Sequence, residues 1–233
     1  MSHLHIPDGV LPVWLWVSGL AAAAVLVSLS LFMVRGVELK KKVPLLGMMS
    51  AVMLVGMSIE VAPYHLNLSV ITGIVLGPWL AVVAAFIVNL LLALVGHGGI
   101  TVVGLNTLVI GFEGVMGCLL FRAFRGAFRP ARAAAAATVL ALFMSTCLML
   151  LIVFLAGVNL GAPALGELRE AMGSAPAAAV RHIFRMGGGA GFKFFAIAAL
   201  ALGVIGWSIE ALVTAAAVGF IDKVKPDVIG GRH

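Results

Sequence analysis

From Leu11 to Val34 the chain runs without a single charged side chain. At about 1.5 Å per helical residue, a stretch of this length crosses a hydrocarbon core of about 30 Å. Further apolar runs cover 43–62, 66–96, 100–121, 133–157 and 187–221. A water-soluble domain has no interior large enough for them. Of 233 residues, 63% are hydrophobic and 10% charged, where an ordinary soluble domain carries about 25% charged residues. In a bilayer the backbone must satisfy its own hydrogen bonds, and helices do so within one segment. The sequence therefore predicts an all-α, multi-pass transmembrane bundle. It reads as one integral membrane domain over 1–233, because no repeat, low-complexity tract or linker divides it. The first run does not read as a cleaved signal peptide, since no Lys or Arg precedes Arg35. Cys118 and Cys147 fall within apolar runs and are expected to be small core residues, not a disulfide.

The segment 66–96 reads either as one long helix or as two passages broken at Gly77-Pro78, where proline removes a helix hydrogen bond. Basic residues decide between them. A break makes seven crossings with the N-terminus outside. Eleven of the fifteen Lys and Arg then lie on the cytoplasmic side, in 35–42, 122–132 and a short tail at 222–233. An unbroken helix makes six crossings and divides them seven to eight. The positive-inside rule selects seven. The piece 66–77 is short for a full span and is expected to be a partial helix buried by its neighbours. The net charge of +6 is thus loop placement against a membrane, and no nucleic-acid partner is expected.

This topology sends the tail 1–10, the loop 62–68 and the loop 95–100 to the outer face. Four of the six histidines, His3, His5, His65 and His97, converge there. A single histidine in such a loop is commonly an interfacial polar residue; four on one side point to a metal ion. Imidazole is the commonest protein ligand for Zn, Cu, Ni and Co. An α-amine, the following amide nitrogens and an early histidine can also wrap a metal in chelate rings, and four nitrogens in a plane suit Ni(II) or Cu(II). With Met1 removed the amine belongs to Ser2 and His3 is the second residue; with Met1 retained His3 is the third. Either form can chelate, with His65 or His97 supplying a further position.

At this point four segments resemble one family. HIPDG (5–9), YHLNLSVITGIVLGPW (64–79), VGHGGITVVGLNTL (95–108) and IEALVTAAAVGFIDKVKPDVI (209–229) are similar to the CbiM/NikM proteins, the substrate-binding membrane components of cobalt and nickel energy-coupling factor transporters. The resemblance implies a six-helix S-component core plus an extra N-terminal helix, seven in all, with the N-terminus outside. It implies metal at the tail, with His5 as the first histidine by the IPDG match and His65 as the loop ligand. His97 then supports the ligands or lines the route of ion access. Four residues, Met1 to Leu4, precede His5, so the amine cannot chelate jointly with His5 as it does in the family. Three arrangements stay open: His3 takes over the chelate, the start is processed, or both rings bind without the amine.

The resemblance further implies capture of Ni(II) or Co(II) at the outer face and delivery inward by an ATP-driven module, in service of cobalamin biosynthesis where the ion is cobalt. The implied partners are a transmembrane coupling (T) subunit, ATP-binding cassette ATPases and a small CbiN/NikN-like accessory membrane protein, none of it fused to this chain. The implied location is the inner (cytoplasmic) membrane. The chain carries no Walker A, GxSxG or HExxH pattern. It is expected to be no enzyme and to hold no resident cofactor, the metal being cargo. Two other readings remain: a membrane-embedded metalloenzyme, with Asp8 or Glu60 as acid–base group, and a structural membrane protein with incidental histidines.

Other polar residues in apolar runs need an account. Acidic side chains within a membrane are expensive and face protein, water or a partner. Glu60 reads as interfacial or as support for the ligands. Glu113, between Gly111 and Gly114, reads as a packing hydrogen bond or salt bridge, and Glu210 as a structural contact. Asn67, Asn89 and Asn106 read as amides that orient ring nitrogens or bridge helices, and Asn106, one to two turns past His97, is the first choice to support the ligands. Met48, Met49, Met53 and Met57 read as core filling, and Gly19-x3-Ala23 and the alanines from 133 to 137 as close helix packing.

Overall fold

In a computed structural model of the chain, the described residues are 11–34, 37–58, 60–61, 64–96, 99–155 and 189–230. They form a helical bundle. The helices are α1 (Val13–Met33), α2 (Val37–Ser58), α3 (Ser69–Leu76), α4 (Pro78–Leu94), α5 (Val103–Phe124), α6 (Pro130–Leu155), α7 (Gly189–Val224) and the short α8 (Asp227–Gly230). Among the described residues, α1, α5, α6, the stretch Leu39–Ser58 of α2 and the stretch Ala196–Val224 of α7 are long and apolar enough to cross a membrane. α4, at 17 residues, is apolar but shorter.

Most helix ends lie within a few residues of the apolar runs, with two informative differences. α2 begins at Val37, so Lys40, Lys41, Lys42 and Pro44 are helical. A helix can continue past the hydrocarbon edge with its lysines in the headgroup region, and Pro44, about two turns inside α2, gives up the N–H that would otherwise bond the Lys40 carbonyl. The second apolar run extends to residue 62, whereas α2 stops at Ser58. Glu60 therefore lies outside a helix. β1 (Glu60–Val61) pairs antiparallel with β2 (Tyr64–His65), with Glu60 opposite His65. This two-residue ladder is the one departure from an all-helical fold among the described residues.

The break at Gly77-Pro78 is real. α3 ends at Leu76, Gly77 takes φ 88°, and Pro78 opens α4. Positive φ suits glycine, and Pro at the first helical position forfeits an N–H that has no partner there anyway. α3 has only eight residues, and all but Val75 are buried. At 1.5 Å per residue it covers about 12 Å, less than half of a hydrocarbon core. The expected partial helix is thus present, packed against α2, α4 and α5. Glycine permits this: a Cβ at Gly73 would overlap the carbonyl oxygen of Gly114 on α5.

α5 is the hub, touching α1, α3, α4 and α6, while α6 packs along α7. Gly104 lies against the backbone of Gly19 and Leu20, and Ala23 is fully buried. Ala133, Ala134 and Ala137 are likewise buried. The small-residue rows are therefore packing surfaces, and the edge-to-face contact of Phe143 with Trp207, centroids 5.8 Å apart, adds to the α6–α7 interface. Met49, Met53 and Met57 fill the core, whereas Met48 faces outward. Cys118 is buried as expected. Cys147 is exposed on the outer surface of α6, which corrects its reading as a core residue.

The two ends of the bundle differ in charge. At one end Lys42, Gly77, Arg122, Arg125 and Ile229 line a cavity of about 400 Å³, and Arg125 donates a hydrogen bond to the Ile229 carbonyl, holding α8. At the other end Leu15, Val102, Met149, Val153 and Ala199 form an apolar cluster. Of the described basic residues, only Lys193, in the first turns of α7, belongs to this second end.

Candidate metal centre

The tail residues Met1, Ser2, His3 and His5, and His97 of the glycine-rich loop, lie outside the described residues. Of the expected ligands, His65 has a described backbone. It ends β2, just beyond the C-terminus of α2 and so at the end of the bundle remote from Lys42 and Arg122. Its cross-strand partner is Glu60. Asn106 is buried in the first turn of α5. Among the described residues no three His, Cys, Asp or Glu side chains form a metal cage.

The residues immediately after His65 enter a dense buried polar network among the described residues. Leu66 runs beside Gly56 of α2, where a Cβ would meet the Leu66 carbonyl. Leu68 then adopts φ 57° and caps α3. A bulky residue in this left-handed region costs about 1–3 kcal/mol and persists only where its surroundings impose it. They do so here. The Leu68 N–H donates to Glu210 Oε1 at 3.0 Å, and the Asn67 N–H to Glu210 Oε2 at 3.3 Å. Asn67 Nδ2 donates to Glu113 Oε1 at 2.7 Å, the Ser69 hydroxyl donates to the same oxygen, and Ser145 of α6 donates to Glu113 Oε2 at 2.7 Å. Asn67, Glu113 and Glu210 are all 0% exposed.

The physical reason is the missing helix turn. A helix entering from the surface would satisfy the amides of 67 and 68 internally. The chain instead enters extended, and α3 starts only at the level of Glu113, in the middle of α5. Unsatisfied N–H groups at that depth are costly, and an acidic side chain there costs about 2.5–3.5 kcal/mol without partners. Each cost offsets the other. The buried donors and the buried carboxyl oxygens thus satisfy one another.

Two expectations are met in this network: Glu113 is a packing hydrogen-bond acceptor, and Glu210 makes a structural contact. Ser69 and Ser145 are members that the sequence did not point to. Ser145 lies in an uninterrupted apolar run, and the one available hint was a polar residue at helical spacing from the buried Leu142 and Met149. Asn67 has two faces. Its Nδ2 is committed to Glu113, while its Oδ1 has no hydrogen-bond partner among the described residues.

Comparison with known proteins agrees with this architecture. One solved structure, described as the crystal structure of a transition metal transporter, superposes with a TM-score of 0.71 at 20% identity, covering 95% of this chain and 93% of the other. A second, described as a truncated transition metal transporter, gives 0.70 at 18% identity and covers 99% and 100%. At these identities the likeness concerns the fold. No match was found among curated proteins. The profile of the CbiM family, described as the cobalt uptake substrate-specific transmembrane region, matches residues 5–228. The chain, a multi-pass helical membrane protein whose fold is that of transition metal transporters, belongs to the CbiM family of metal-uptake components.

Proposed function

We propose that this chain is the substrate-specific component of an ATP-driven energy-coupling factor importer for Ni(II) or Co(II). It binds the ion at its outer face and delivers it inward when joined to a transmembrane coupling subunit, ATP-binding cassette ATPases and a small accessory membrane protein. It lies in the inner membrane and crosses it seven times, N-terminus outside. The arrangement of ends supports this count: α1, the 66–76 segment, α5 and α7 run toward the basic end, and α2, α4 and α6 run back. The chain catalyses no reaction; its partners hydrolyse ATP.

The observation that carries the reading is His65. Within a chain of this family, it ends a hairpin at the end of the bundle opposite the basic residues. In our assignment His65 is a ligand, joined from the tail either by His3 with the nitrogens of Met1 or Ser2 or by the rings of His3 and His5. Glu60, opposite His65, and Asn67, whose Oδ1 has no partner among the described residues, support the ligands. A ring N–H of a metal-bound histidine needs such an acceptor. Asn106 and His97 line the route of access.

Equilibrium dialysis of Ni(II), Co(II), Zn(II) and Cu(II) on the purified chain, with His5→Ala and His65→Ala alongside, tests the proposal. It expects tight Ni(II) or Co(II) binding that His65→Ala eliminates. A chain with no metal affinity would be a structural membrane protein instead.

A further inference from the structure

The five hydrogen bonds around Glu113 and Glu210 have an unusual target. Helix–helix contacts in membranes are commonly joined side chain to side chain or through small residues. Here two buried acidic residues from α5 and α7 converge on three consecutive residues of another segment, Asn67, Leu68 and Ser69. That segment begins two residues after His65. Ser145 ties α6 into the same grip.

The hairpin above has little hold of its own. Each strand is two residues long, and so short a ladder is not stable alone. Its lower end is bound by contacts inside the bundle. Glu210 takes both backbone N–H groups at the point where Leu68 turns to φ 57°, so it sets the direction in which the chain leaves the core toward His65. Glu113 fixes the side chain of Asn67 and the first residue of α3. The acidic residues thus act where the chain changes direction, and a change of direction there is amplified at the hairpin.

We propose that Glu210, with Glu113, is a positioning residue for the metal site: from α7 and α5 the two hold Asn67–Ser69 so that His65 is presented in binding geometry. This rests on the assignment of His65 as a ligand. It has a consequence for transport. Metal affinity is linked to the relative placement of α5, α6 and α7, so a partner that shifts α7 against α5 loosens the grip on 67–69 and weakens metal binding. By linkage, metal binding favours the gripped arrangement to the same extent.

The test uses the full chain in lipid nanodiscs, with Co(II) and Ni(II) salts as probes. Dialysis gives affinity, the visible absorption of bound Co(II) reports ligand geometry, and thermal unfolding of the metal-free protein gives stability. Glu210→Gln keeps the shape but puts an amide N–H beside backbone N–H groups. We expect a folded protein whose affinity falls about 10–100-fold, the range for residues that orient ligands, with an altered Co(II) spectrum. Ser145→Ala, which removes one donor to Glu113, should cause a smaller loss of the same sign. A purely structural role would lower the unfolding temperature yet leave affinity and spectrum native in the folded protein; that result overturns the proposal. If Glu210→Gln does not fold, Ser145→Ala decides: native affinity and spectrum overturn the proposal, and a loss upholds it. His65→Ala is measured in the same series. If it retains binding, the assignment of the site fails and this proposal falls with it; if it abolishes binding while Glu210→Gln binds normally, only the positioning role fails.

Discussion

His65 and His97 are both histidines of outer connections in the sequence reading, and their settings separate them. His65 is joined through Leu66 to residues clamped by Glu113 and Glu210. His97 sits in sequence among Gly96, Gly98 and Gly99, a glycine-rich composition that is conformationally permissive. A ligand needs a fixed position. We therefore expect His65→Ala to abolish measurable Ni(II) or Co(II) binding and His97→Ala to weaken it about 10–100-fold, as dialysis would measure; the reverse ranking would move the ligand to the glycine-rich loop. Protons compete with metal for the ligands. An imidazole of reference pKa about 6.5 is free for metal above that pH and blocked below it, and an amine of about 7.7–8.0 likewise. Affinity should fall as pH drops through these ranges. A bulky N-terminal extension should lower it too if the amine is a ligand. Equal Ni(II) affinity with and without the extension would remove the amine from the set and leave the rings.

At the scale of elements, α3 is the piece on which the site rests. Its contact with α5 depends on glycines: the Gly73 position meets the Gly114 carbonyl, and the Gly117 position meets Val70. Gly73→Val pushes α3 away from α5, where the obstacle is backbone and cannot rotate aside. Overpacking of this kind costs about 1–3 kcal/mol, and it also separates Asn67 and Ser69 from Glu113. Thermal unfolding in nanodiscs should show the loss of stability, and metal affinity should fall with it. Gly47, whose Cβ would meet nothing within 4 Å, is the control: Gly47→Ala should leave both unchanged. A Gly73→Val protein of native stability would mean that α3 is free to shift, and the close approach would lose its importance.

For the whole molecule, the seven-passage topology predicts which ends label from which side. Asn67 is buried and unsuitable as a probe. Val95 is 78% exposed at the end of α4, and Gly126 lies just past α5 at the basic end. In a background lacking Cys118 and Cys147, Val95→Cys should react with an impermeant thiol reagent in intact cells, and Gly126→Cys only after permeabilisation. Reaction of both in intact cells would overturn the topology. The sequence alone determined the membrane setting, the long passages and the break at Gly77-Pro78, because apolar length, charge and proline chemistry act locally and are written residue by residue. The motif at 64–79 marks the segment around His65 in the sequence itself. Three matters were settled only in three dimensions. α2 stops at Ser58, and Glu60, within the same apolar run, pairs with His65 instead of continuing the helix. The depth at which α3 begins depends on Gly73 meeting Gly114. The partner of Glu210 lies 143 residues away at Asn67. A buried acidic residue announces in sequence that it needs donors, but which backbone turns its N–H groups inward is decided by the packing of distant helices, and no local pattern encodes that.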